Sequence, residues 1–294
     1  MSLARTLLRI LAALVFAALA GATYQGVATA LERRRLPHPG RLVSVGTHQL
    51  HIACVGDGSP TVVLEAPVGG VSSGWTLVQD LLQPSIRSCA YDRAGLGWSE
   101  AGDVPFDPSG VSADLHALLQ RAGEPGPYVL AGHGSGAWFA TAFARTYPDD
   151  TAALVLIDPA TGATGTPAWS PMEGSPVAPW LARIGLLRIG GWLAAAPTDL
   201  PPAADGALRA FSQRPDHLTR VAQEQRAMAS ATLTPPSPRD TVTVTTRATP
   251  TGTRAPALHD RAASSQVATA LRSVVHTWRT AHESGSYVPA TAER

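Results

Sequence analysis

The eleven residues Tyr128-Val129-Leu130-Ala131-Gly132-His133-Gly134-Ser135-Gly136-Ala137-Trp138 constrain this chain more than any other stretch. An apolar β-rich run meets a glycine-crowded turn, and a helix-like segment (139–147) follows at once. This is the strand–turn–helix setting of a nucleophile elbow, a strained turn that lifts its central residue out of the backbone. Centred on position 134, the small flanking residues are Gly132 and Gly136. The centre itself is Gly134, so the scaffold for a nucleophile carries none. Moving the frame by one makes Ser135 the candidate, flanked by His133 and Ala137, and the ring of His133 crowds that turn. Ser135 also reads as a cap on the first turn of the helix.

A chain of 294 residues is long enough for one large core with an added cover. Formal net charge is +1, which argues against a nucleic-acid partner. All 23 basic residues are arginine, and 25 prolines with 27 glycines fit a loop-rich α/β domain. No cysteine–histidine cluster has metal-ligand spacing and no glycine-rich stretch fits a phosphate loop, so neither a metal nor a nucleotide cofactor is expected.

The N-terminal segment, residues 1–36, stands apart from the domain at 37–294. Arg5 and Arg9 precede Ile10 to Leu31, 22 residues without a charge, and Glu32-Arg33-Arg34-Arg35 closes the run. As a helix the uncharged stretch reaches roughly 33 Å, enough to cross a bilayer. The alternatives are a cleaved signal, since Ala18-Leu19-Ala20 suits a signal peptidase, and a soluble amphipathic segment. The membrane is therefore an expected partner. Its side stays open: the three arginines favour a cytoplasmic domain.

After a linker at 36–40, residues 41–55 alternate around Gly46 as a hairpin. Thr61–Glu65 is a buried strand, 67–73 a glycine-rich loop and Trp75–Leu82 a helix. Arg87–Tyr91 is the next strand, with a turn at Asp92–Ser99 and a helix over Val111–Ala122. Ala153–Ile157 is a further buried strand with Asp158 at its carboxyl end. Alternating strands and helices predict a mostly parallel, doubly wound sheet with its ligand site at the carboxyl ends of the strands. Residues 161–238 change character. Helices over 177–193 and 206–230, joined by proline-rich stretches, read as a lid whose Trp180, Leu186 and Trp192 wall an apolar pocket. Two last strands are expected at Val242–Thr245 and Val274–Arg279, with a helix over 257–271 between them.

Three stretches together resemble the α/β-hydrolase family, in particular a membrane-anchored bacterial branch. They are the hairpin with Thr61–Ala66, the turn Tyr91–Ser99, and the elbow followed by Leu154–Pro159. The resemblance implies an eight-stranded α/β sheet with a helical lid and descent from serine hydrolases of ester or amide bonds. It also sets the strands of Cys54 and Cys89 side by side. A disulfide between them, implying an oxidising compartment, stands against two small buried thiols.

The catalytic set implied by the resemblance is incomplete. Gly134 stands at the nucleophile position. Ser286 stands at the base position, because Ser284-Gly285-Ser286-Tyr287-Val288-Pro289 is similar to the family's Ser-Gly-His-Tyr-Ile-Pro stretch. Thr246–Leu258, where the acid belongs, holds no carboxylate, which leaves Asp158 as its substitute or as an ordering cap on its turn. Pro67 sits in the oxyanion loop and has no N–H, leaving Val68 and Ser135 as the two donors. Asp92 and Arg93 read as loop bracing and His133 as packing. The leading expectation is a pseudo-hydrolase that binds a small apolar or ester-like ligand. One alternative is an active enzyme using Ser135 with a displaced base, His282 or His133, and Asp158. The other is a poorly folding product that lacks the family's final helix.

Overall fold

Continuous apolar strands can only be satisfied by cover on both faces, and the sheet is built that way. The computed structural model describes residues 2–102, 108–159, 175–191, 198–230, 241–246 and 257–284. Among these, strands β1 (Arg41–Ser44), β2 (Gln49–Val55), β3 (Thr61–Glu65), β4 (Ser88–Tyr91), β5 (Tyr128–His133), β6 (Thr151–Ile157) and β7 (Thr241–Val244) form one sheet in the order β1-β2-β4-β3-β5-β6-β7. The β1–β2 hairpin and the β2–β4 pair are antiparallel, and every pair from β4 to β7 is parallel. The architecture is the expected α/β-hydrolase fold.

Helices α2 (Thr76–Leu82) and α9 (Arg261–Glu283) cover one face, where Trp75, Val78, Leu82, Val267, Leu271 and Val275 are fully buried. Helices α3 (Pro108–Arg121) and α4 (Gly136–Thr146) cover the other, through Leu115, Leu118 and Phe143. Among the described residues, four helices lie between β6 and β7: α5 (Ala178–Arg183), α6 (Leu186–Gly190), α7 (Pro202–Phe211) and α8 (Pro215–Ser230). Phe211 and Val221 of this insertion pack on Val68, Val71 and Phe139 at the carboxyl ends of the strands.

Several expectations change. The strand at Val274–Arg279 is helical, because Val267, Leu271 and Val275 recur at helical spacing and bury along one side of α9. Seven strands, not eight, are therefore seen among the described residues. A final helix does cover the sheet, which removes the observation behind the poorly folding reading. The two expected insertion helices are four among the described residues. Gly185, at φ +71, separates α5 from α6, and the proline at 215 stops α7 from running on into α8. Trp180 and Leu186 lie at the surface, 69% and 39% exposed. Trp192 lies outside the described residues.

Cys54 and Cys89 face one another across β2 and β4 and are joined in a disulfide. At the N-terminus, α1 (Ser2–Arg35) is one helix long and apolar enough to cross a membrane, with mean hydropathy 2.0 over its best window and none of that window buried.

Candidate active site at the glycine elbow

The elbow retains the backbone of a catalytic turn. A β-carbon on Gly132 would come within 2.6 Å of the Gly136 carbonyl oxygen, and one on Gly136 within 2.4 Å of the Glu65 carbonyl oxygen. Both flanks must therefore be glycine for β5, α4 and the end of β3 to approach this closely. At the tip, Gly134 has φ +56. A β-carbon there would meet only the Cβ of Pro67, at an ordinary 3.7 Å. The slot for a nucleophile is open, and glycine occupies it.

Ser135 is 3% exposed and sits just before α4, where its hydroxyl caps no helix amide. Instead the Val68 N–H donates to Ser135 Oγ at 2.8 Å. One of the two expected oxyanion donors is thereby taken up by the neighbouring serine, and that serine is turned toward the loop. No described imidazole hydrogen-bonds to Ser135.

The other predicted residues are dispersed. Asp158, the one non-glycine residue at positive φ (+43) among the described residues, ends β6. Its Oδ1 accepts the Thr246 N–H at 2.8 Å and its Oδ2 accepts the Thr246 hydroxyl, so the carboxylate ties β6 to the segment after β7. His282 lies on α9, exposed and stacked on Trp278 at 4.6 Å between ring centroids. One turn earlier Arg279 donates to the carbonyls of Ser59 (2.7 Å) and Ser85 (3.3 Å), at the amino ends of β3 and β4. The elbow is at the carboxyl ends. His282 is therefore at the opposite end of the sheet and is not brought to Ser135. Ser286 lies outside the described residues.

What does gather at the elbow includes a residue the sequence reading passed over. His259, on a short turn of helix at Ala257–His259, lines a cavity of ≈ 20 Å³ with His133, Trp75, Pro67, Val71 and Leu258. That volume holds one water and no ester. His133 Nδ1 and Trp75 Nε1 are both buried there without a hydrogen-bond partner among the described residues, which suits such a water. Burial pushes the His133 imidazole down to about 4 despite the opposing charge of Asp158. Burial, and secondarily His133, pushes His259 down to about 4 as well. Two neutral, weakly basic imidazoles do not constitute a general base poised near pH 7.

Below the elbow, charge is used for structure. Arg93 donates to Glu65 (2.6 Å), to both carboxylate oxygens of Glu224 (2.8 Å each), and to the carbonyls of Ala66 (2.6 Å) and Pro67 (2.8 Å). Glu224, on α8, also accepts the Gly69 N–H at 3.3 Å. The pair clamps the oxyanion loop to the insertion. Burial, opposed chiefly by Arg93, raises the Glu65 carboxyl to about 7. Asp92 accepts the N–H groups of Ser72 (2.6 Å) and Trp98 (3.0 Å) and pairs with His51 at 3.0 Å, bracing two turns.

Residues 58–289 match the alpha/beta hydrolase family. RutD of Klebsiella pneumoniae (strain 342), a candidate carbamate hydrolase, is 32% identical over 151 residues, 50% of this chain and 53% of its own. An uncharacterized vacuolar membrane protein of Saccharomyces cerevisiae (strain YJM789) is 29% identical over 132 residues, 38% of this chain and 20% of its own. The chain spans about half, or less, of the length of the curated relatives it matches. Among solved structures, a bacterial membrane phospholipase A superposes with a TM-score of 0.54 at 15% identity, over 95% of this chain and 99% of that one. That likeness is one of fold alone.

Proposed function

The chain belongs to the alpha/beta hydrolase family, and from that membership we propose that it is a pseudo-hydrolase, tethered to a membrane by α1, that binds without serine-mediated turnover. Gly134 carries the reading: the elbow has the room for a nucleophile and no atom to attack with. Removing the reacting members of such a triad costs on the order of 10⁶ in kcat. The engagement of Val68 N–H by Ser135 Oγ supports the same conclusion, since a hole already occupied stabilises no developing oxyanion.

The ligand class proposed is small and apolar or ester-like, entering beneath the insertion as a lid. Its walls are Val71, Trp75, Leu208 and Leu258. The cavity at the elbow is too small for such a molecule as it stands, so binding requires the lid to shift. Membrane tethering is supported by the length and apolar character of α1 and by the vacuolar membrane relative. The disulfide supports placing the domain on the oxidising side of that membrane.

The test is turnover of a panel of short- and long-chain esters and carbamates by the purified full chain, beside Ser135→Ala. The expected outcome is a rate indistinguishable between the two proteins and near the uncatalysed one. Turnover that disappears with Ser135→Ala would overturn the proposal.

A further inference from the structure

The geometry of α1 against the insertion points to a second membrane contact: the outer face of α5 and α6 lies in the same bilayer that α1 crosses. This rests on the reading of α1 as a span.

The uncharged run Ile10–Leu31 has roughly the reach of a hydrocarbon core, about 30 Å. It is not free of the domain along that length. Gly21 is buried against the α5–α6 turn, where a β-carbon would lie 2.0 Å from the Ile184 carbonyl oxygen. Gly185 answers it: a β-carbon there would be 2.7 Å from the Gly21 carbonyl oxygen. Two backbones meet with no side chain between them. Beyond that contact the helix is held by Gln25, which donates to the Gln213 carbonyl at 3.0 Å, and by Arg188, which bonds Gln25 and Glu32. Residues 3–20, none of them buried, precede the contact, about 27 Å of helix, so Gly21 and the α5–α6 turn sit at the edge of the span.

The surface flanking Gly21 is suited to submersion. Val177 (52% exposed), Trp180 (69%) and Ile184 (37%) recur along the outer side of α5, and Leu186 (39%) and Ile189 (66%) continue it on α6. The inner side is separately satisfied, by Ala178, Ala182 and Leu187 packing on Leu218. The guanidinium of Arg183 lies 5.2 Å from the centre of the Trp180 ring, an amphipathic pair that fits the headgroup boundary. Apolar residues that join no core cluster among the described residues, and that flank the point where the apolar span meets the domain, have lipid as their occupant.

The experiment labels single cysteines introduced at exposed positions of the full chain with an NBD fluorophore. Ile189→Cys reports the α5–α6 face, Phe16→Cys the span, and Ser265→Cys the distant surface of α9. Each is placed in phosphatidylcholine–phosphatidylglycerol vesicles with and without doxyl-labelled lipid. The expected result is blue-shifted emission, lost on adding doxyl lipid, at both 16 and 189, with water-like, unquenched emission at 265. Quenching at 16 with water-like emission at 189 overturns this inference and leaves the anchor standing. A blue shift at 189 without quenching also overturns it, since a second copy of the chain then covers the face. No quenching at 16 removes the span and this inference with it.

Discussion

At the residue scale the decisive position is Gly134. Its conformation, φ +56, costs an L-residue about 1–2 kcal/mol, while the space around it admits a side chain. Gly134→Ser should therefore fold, with a melting temperature lowered by a few degrees, and should still show no esterase turnover, because the imidazoles at the elbow, His133 and His259, are buried and too weakly basic to activate the new hydroxyl. A variant that unfolds would mean that the slot is not open. Arg93 is the opposite kind of residue, one on which several others depend. Arg93→Met leaves Glu65 and Glu224 buried without their cation and should cost about 3–5 kcal/mol in chemical denaturation. A loss under 1 kcal/mol would show that the clamp between the oxyanion loop and α8 is not structural.

The elbow and the resemblance it carries were legible because turns that bring backbones within van der Waals contact admit only glycine, and Gly132 and Gly136 announce that in the sequence. His259 was not legible as a site residue. It follows directly on the segment 246–258, which holds no carboxylate, and its approach to Gly74 and His133 depends on tertiary packing. His282 failed as a candidate base for a related reason. The strand expected at 274–279 is the second half of a 23-residue helix, about 34 Å long, running from the elbow to the far end of the sheet.

At the element scale, β-branched Val274-Val275 suggested a strand, and the longer period of Val267, Leu271, Val275 and Trp278 outweighed it. Local propensity loses to a face that can be buried. The disulfide ties two elements whose register places Cys54 opposite Cys89, 35 residues apart in sequence. Closing a loop of that length should contribute roughly 3 to 4 kcal/mol through the unfolded chain. Unfolding by urea with and without reductant checks this; coincident midpoints would contradict it. The same bond bears on orientation. Positive-inside counting of Arg33, Arg34 and Arg35 favours a cytoplasmic domain, and a persistent disulfide favours the other side.

At the scale of the whole molecule, three buried histidines from different elements set a common response to acid. His133, His217 and His259 are each pushed down to about 4, in every case first by burial. All three are neutral in the fold and hold the ordinary value near 6.5 when unfolded. The unfolded chain thus binds more protons between these limits, so their contribution is complete above pH 6.5 and is lost as pH falls through about 4. The unfolding free energy should drop by about 1.4 kcal/mol per pH unit for each histidine near the middle of that window. Glu65, whose carboxyl is raised to about 7 and binds its proton in the fold, offsets one of the three, leaving a net drop of about 3 kcal/mol per pH unit. Urea titrations at pH 7 and pH 5 measure it, and equal midpoints would show that these imidazoles are not buried in neutral form.

The most direct measurement for the molecule as a whole is reaction of the full chain with a fluorophosphonate, followed by peptide mass spectrometry across the elbow. An inert elbow predicts a cooperatively melting protein with no adduct on the peptide containing Gly134 and Ser135. An adduct on Ser135 would contradict the pseudo-hydrolase reading and make Ser135 a working nucleophile.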